Sequence, residues 1–252
     1  MVDPLKSARA VLTNAKGHSE NFRIESKRYL NNDPFARVAE LDSRTGETVH
    51  KLKLARPIPS QLETLASDAV YNLRSTLDQI GYAVSIAAGG RGKSTYFPFG
   101  DTPSEVKSRG TTSSKEIPHQ IFTLMESFQP HLGGNDLLWS LNKIGNTDKH
   151  RFLVPTVIAT EVQSLDVIST AGPFRMPANL VWDSEKNEME LARTMANTKF
   201  QFDVNFSIFI SFGEVQVVMG APAFEVLDAL ARVVESILMA VEAEARRLRL
   251  FT

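Results

Sequence analysis

Six polar or charged residues in a row, Asn146-Thr147-Asp148-Lys149-His150-Arg151, stand where an apolar helix should be finishing. The carbonyl end of a helix dipole attracts cations, which accounts for Lys149, His150 and Arg151. It does not account for Asp148, which helical spacing places on the same stripe as Leu137, Leu141 and Ile144. A carboxylate on a core-facing stripe needs a charged or hydrogen-bonding partner, and Arg74, on another helix, is the partner the sequence offers. Lys149, His150 or Arg151 would then face an anionic group. With Arg74 stabilising charge and His150 moving protons, the same residues would serve attack on a phosphodiester.

Arg74 belongs to a polar stripe of its own. Ser67, Tyr71, Arg74, Asp78, Tyr82 and Ser85 follow one another at steps of three or four, the spacing of neighbours on one helical face. Hydroxyls, a guanidinium and a carboxylate bordering a core make a polar seam between helices, in which Arg74 and Asp78 can pair directly. Two readings follow. In the first, seam and cluster form one pocket, with Tyr71, Arg74, Asp78, Asn146, Asp148, Lys149, His150 and Arg151 as binding residues, and Arg74 and His150 as the catalytic candidates. In the second, Arg74, Asp78 and Asp148 are a buried ion network that fixes how two helices pack. Tyr71 and Tyr82 are then packing residues with satisfied hydroxyls.

Other chemistry is sparse. His18, His50, His119 and His131 stand apart with no ligand-like spacing, so no metal centre and no cofactor are expected. The chain has no cysteine, which removes disulfides, thiolate metal sites and cysteine nucleophiles. Gly90-Arg91-Gly92-Lys93-Ser94 ends like a phosphate-binding loop, but Ala87 stands where the first glycine is required. It also follows a helix instead of a strand, so it reads as a flexible basic loop.

The elements that position these residues follow from periodicity and turn chemistry. Asp3 and Pro4 open a helix that runs to about Leu30. Phe35 to Leu41 and Thr48 to Leu54 make a hairpin around Asp42-Ser43-Arg44-Thr45-Gly46. Ser60 and Glu63 begin the long helix that carries Arg74, with Leu62, Ala66, Ala69, Leu73, Leu77, Ile80, Val84 and Ala87 as its apolar stripe. Residues 89 to 117 read as a surface loop anchored around Tyr96-Phe97-Pro98-Phe99. A short helix from Pro118 to Phe128 precedes one capped by Asn135, expected to reach about Lys149. Phe152 to Gln163, Leu165 to Thr170, Asn179 to Trp182 and Glu188 to Arg193 are strand candidates. Phe200 to Phe212 alternates apolar and polar residues as a half-buried strand does. A helix over residues 222 to 250 closes the chain.

No helix–strand alternation of a parallel sheet is present. The expected class is α+β: long helices near 4–30, 60–88, 135–149 and 222–250, packed with an antiparallel sheet from residues 152–219 and an N-terminal hairpin. The whole is read as one domain, helical mainly over 1–150. A net charge of −1 gives no global attraction to nucleic acid or to anionic membrane. No stretch approaches the roughly 18 apolar residues of a membrane-spanning helix, and no signal-peptide core follows Met1. The expected place is the cytoplasm.

Asn72-Leu73-Arg74-Ser75-Thr76-Leu77-Asp78, Phe97-Pro98 and Asn146 to Arg151 together resemble a group of functionally uncharacterised bacterial proteins that carry these three elements. The resemblance covers mainly residues 60 to 155 and implies no activity. A more distant likeness is to the HEPN superfamily, many of whose members are ribonucleases of toxin–antitoxin and phage-defence systems. Their motif places a histidine a few residues after an arginine. Arg74 matches the arginine, and Gln79, which is neither acid nor base, stands near where the histidine is expected. His150 would have to supply the missing imidazole in space. Two functions are thus expected from the sequence. One is a non-catalytic binding or regulatory protein whose polar site takes an anionic small molecule, an RNA or a partner chain, a second copy included. The other is a metal-independent, HEPN-like ribonuclease.

Overall fold

The computed structural model describes residues 3–146, 152–167, 174–177, 180–195, 200–213 and 215–251. Its order is α1 (Lys6–Asn31), β1 (Phe35–Asp42), β2 (Glu47–Leu54), α2 (Ser60–Ala87), α3 (Pro103–Ser108), α4 (His119–Ser127), α5 (Asp136–Gly145), β3 (Leu153–Val167), β4 (Phe174–Arg175), β5 (Glu188–Met195), β6 (Phe200–Phe212) and α6 (Ala223–Arg247). This is an α+β protein, as its periodicities predict. No described helix is long and apolar enough to cross a membrane.

Contacts divide the chain into two compact units. The first takes Met1–Arg23, Ser60–Phe152 and Phe212–Thr252; the second takes Ile24–Pro59 and Leu153–Ser211. In the first unit α6 packs on α2, α4 and α5, and α2 packs on α5. The stripe Leu62, Ala66, Ala69, Leu73, Leu77, Ile80 and Val84 is buried against α6, whose Leu227, Leu230, Val234, Ile237 and Val241 share the core, whereas Ala87 at the end of α2 is exposed. Asn135 caps α5 as expected, its side chain accepting the Leu138 N–H at 3.0 Å.

The second unit holds a four-stranded sheet in the order β1-β2-β5-β4 and a two-stranded pairing of β3 with β6. The N-terminal hairpin is therefore not a separate addition: Leu52 of β2 lies opposite Met189 of β5 in an antiparallel ladder. One sheet face carries Phe35, Leu52, Met189 and Leu191, packed with Val157, and Trp182 meets Phe35 edge-on at 5.6 Å. The other face is a ladder of charges in which Lys51 and Lys53 bridge Glu40 and Glu188.

Four expectations about elements fail. Residues 103–111 are helical, as α3 followed by a 3-10 turn at Arg109–Thr111, instead of open loop. Thr102 caps the Glu105 N–H at 3.3 Å and Pro103 occupies the first turn, where a missing N–H costs nothing. Second, β3 runs unbroken through Gln163 and Ser164, where the chain has neither glycine nor proline to break it. Third, residues 180–182 form no strand; a bridge from Asp183 to Glu188 closes a tight turn there, with Asn187 at φ +52°. Fourth, α5 ends at Gly145, where Asn146 is a non-helical C-cap at φ −109°, short of the expected Lys149; residues 147–149 lie outside the described residues.

Candidate binding site on the second helix

Asp78 and Arg74 lie one turn apart on α2 and reach in two directions. The Asp78 carboxylate accepts the Phe97 backbone N–H at 2.9 Å. The Arg74 guanidinium donates to the Asn146 side-chain oxygen at 2.7 Å. Three segments distant in sequence, Asn72–Asp78, Phe97-Pro98 and Asn146, thereby converge on one face of α2. The partner that the sequence proposed for Arg74, Asp148, lies outside the described residues, as do Thr147, Lys149, His150 and Arg151.

Phe97 and Phe99 are buried and fix the loop that supplies the amide. Asp101 holds the same loop to α5, accepting the Trp139 indole N–H at 2.8 Å and pairing with Lys143 at 2.7 Å. That ammonium, with the indole N–H, keeps the Asp101 carboxyl below its usual range. The last turn of α5 lies close against α2: a Cβ placed on Gly145 would touch Arg74 and Val70 at 3.7 Å. Asn146 follows directly, which is why its amide reaches the guanidinium.

The predicted seam is real over part of its length and divides beyond it. Ser67, Tyr71, Arg74 and Asp78 line one cleft of about 620 Å³, closed at its side by Ile144, Gly145 and Phe152. Arg74 and Asp78 also line a smaller depression with Tyr96, Arg109, Asn142 and Asn146, so these two residues form the wall between two hollows. The seam's far end does something else. Ser85 is buried and donates to Glu116 at 3.3 Å. Tyr82 lies over Gly92, whose φ of +70° and lack of Cβ admit the ring.

Two details of the expected network are corrected. Arg74 and Asp78 form no ion pair, because the carboxylate is turned to the Phe97 amide. Tyr71 is not a packing residue: it is 71% exposed at the mouth of the cleft, and Tyr82 is 51% exposed. Burial raises the Asp78 carboxyl above its ordinary value, against the Phe97 N–H and the nearby Arg74 charge, which both lower it. Among the described residues Arg74 has no carboxylate partner, only the neutral Asn146. No group of described residues is arranged to hold a metal ion.

Position 79, the nearest match to the HEPN histidine, faces away from this site. Gln79 lines a separate groove with Pro4, Ala8, Tyr82 and Ile86. Its side-chain nitrogen lies 3.4 Å from the Ser75 hydroxyl, and its buried oxygen has no partner among the described residues.

The glycine-rich segment that ends like a phosphate-binding loop is not a loose loop. Its amides do cradle an anion, but the anion is internal: the Glu116 carboxylate accepts the N–H of Arg91 at 2.9 Å and of Lys93 at 3.1 Å. Burial alone would push that carboxyl up; the amides of Lys93, Arg91 and Gly92 and the Ser85 hydroxyl outweigh it and hold the group below its usual range. Nothing local in the sequence marked Glu116, which is remote from the glycines it serves.

Comparison of the chain with family models, with curated proteins and with solved structures gives no match. The geometry therefore carries the functional argument by itself.

Proposed function

We propose that this protein is a binding or regulatory module whose ligand enters the cleft along α2 and presents an anionic group to Arg74. The observation that carries this reading is the state of that arginine. It is oriented by a neutral amide at 2.7 Å and, among the described residues, no carboxylate neutralises it. A guanidinium held ready by a neutral partner keeps donors for an oxyanion, and its fork suits carboxylate and phosphate alike. Lys149, His150 and Arg151 come three to five residues after Asn146, beyond Thr147 and Asp148, and belong to the same proposal as the second half of the anion site.

A ligand bound by the folded state alone raises stability by mass action, about 2.7 kcal/mol at a hundredfold excess over its dissociation constant. Thermal shift against inorganic phosphate, nucleotides and short RNAs is expected to give at least one salt-sensitive stabiliser. Arg74→Ala removes that effect, and the His150→Ala, Arg151→Ala double variant weakens it. Retention of the full shift in Arg74→Ala defeats the reading. Cleavage of an RNA by the wild type, lost in both Arg74→Ala and His150→Ala, would instead assign a ribonuclease.

A further inference from the structure

The cleft is not lined as a site for a bare anion. Beside Arg74 its α2 wall carries three carboxylates, Glu63, Asp68 and Asp78. Phosphate alone would meet one fixed cation and net repulsion from the rest of that wall. Between the acids stand hydroxyl groups, Thr64, Ser67 and Ser75 among them. Glu63 and Asp68 are half-buried, and their carboxylates have no hydrogen bond or ion pair among the described residues. Such carboxylates are acceptors with capacity to spare, and hydroxyl side chains both donate and accept. Tyr71 adds an exposed aromatic face at the cleft mouth, apolar in body and polar at its tip.

We infer that the ligand of this cleft is a phosphorylated polyol or sugar, its phosphate on Arg74, its hydroxyls on Asp68 and Glu63, and its C–H face on Tyr71. This rests on the reading of Arg74 given above and adds the body of the ligand to it. Asp68 precedes Arg74 by six residues on one continuous helix, about 9 Å along the axis at ~1.5 Å per residue. A monosaccharide with a terminal phosphate bridges such a distance, whereas inorganic phosphate reaches one end only. The cleft volume of about 620 Å³ lies within the range of small-molecule sites. A hydroxyl–carboxylate hydrogen bond is charge-assisted and discriminates strongly against a ligand lacking the hydroxyl.

The test is calorimetric titration at fixed ionic strength with glucose 6-phosphate, ribose 5-phosphate, glycerol 3-phosphate and inositol 1-phosphate, each beside its unphosphorylated form and inorganic phosphate. At least one phosphorylated polyol is expected to bind on the order of tenfold more tightly than inorganic phosphate, the worth of about one net hydrogen bond to a charged group. Glu63→Gln with Asp68→Asn removes that advantage, while inorganic phosphate binds at least as tightly as to the wild type because two repelling charges are gone; Tyr71→Ala reduces the advantage. Among the described residues these side chains have no hydrogen-bonding or ionic partner, so the variants are expected to keep the fold, which circular dichroism verifies. Phosphate or nucleotide binding through Arg74, with no gain from any polyol body or a gain that survives the double variant, overturns this inference and leaves the anion site standing. Binding that is indifferent to Arg74→Ala, or no binding by any probe, overturns both.

Discussion

At Asp78 the fold keeps a charge where an amide would serve. Its structural task is to accept the Phe97 N–H at 2.9 Å, and an asparagine oxygen can do the same. Burial raises the carboxyl, so folding favours its protonated form over the charged one more than the unfolded chain does; that contribution is complete below the ordinary carboxylate value and is lost as pH rises through the folded one. Asp78→Asn is therefore expected to be at least as stable as the wild type at neutral pH, and the wild type to gain on it as pH falls. Urea melts of both proteins across that range decide the matter; a variant that is less stable at pH ~7 contradicts it. Asp78→Ala leaves the Phe97 amide without its acceptor and should cost about 1–3 kcal/mol. Arg74→Ala removes one partly exposed hydrogen bond and should cost only ~1 kcal/mol, so any large functional loss in that variant is not a folding defect. Residue types and helical spacing revealed Arg74, Asp78 and Tyr71 as neighbours on one face. They did not reveal the Asp78 partner, because a backbone N–H has no signature in side-chain chemistry. Nor did they separate Tyr71 from the core, since a tyrosine on the border of a stripe packs or stands free according to what faces it.

Among the elements, the turn that follows α2 depends on one distant side chain. Glu116 gathers the amides of residues 91–93, and Gly92 at φ +70° lets the Tyr82 ring close over it. Glu116→Gln weakens that capture, so hydrogen exchange at Arg91, Gly92 and Lys93 should quicken while the amides of α2 and α6 stay protected. Unchanged exchange there would show that the turn holds itself. The Glu116 carboxyl is held below its usual range, so the support it gives is present above the ordinary glutamate value and disappears as pH falls through the folded one. Gly92→Ala meets both a left-handed backbone and a ring atom 2.2 Å from the new Cβ, and should cost more than about 1 kcal/mol. Long elements were legible because many residues report one period: α2 and β6 begin and end within a residue of their predicted bounds, and α6 within three. Short ones report too few. Thr102-Pro103-Ser104-Glu105 carried a cap, a first-turn proline and an acid for α3, yet its polar setting in a glycine- and serine-rich stretch hid a helix of six residues.

For the molecule as a whole, neither unit is continuous in sequence. The first is assembled from three stretches and the second from two, and the hairpin β1–β2 finds its sheet partner β5 more than a hundred residues later. Composition and pattern could suggest helices early and strands late, but strand partners are set by long-range pairing that local pattern does not encode. A fragment of residues 1–152 therefore lacks α6, whose Leu227, Leu230, Val234 and Ile237 are wholly buried. It should bind a hydrophobic dye and lose the near-ultraviolet dichroism of Trp139, while the full chain does neither; a native-like fragment spectrum would refute the point. The position of α6 also sets a clock. At about 5–20 residues per second of synthesis, α2 emerges complete at Ala87 and waits ~8–30 s before Arg247 ends the helix that covers its apolar stripe. During that interval the nascent chain displays Leu73, Leu77 and Ile80 to whatever is nearby, so folding on the ribosome, and protection by chaperones while it lasts, is governed by the moment at which α6 is made.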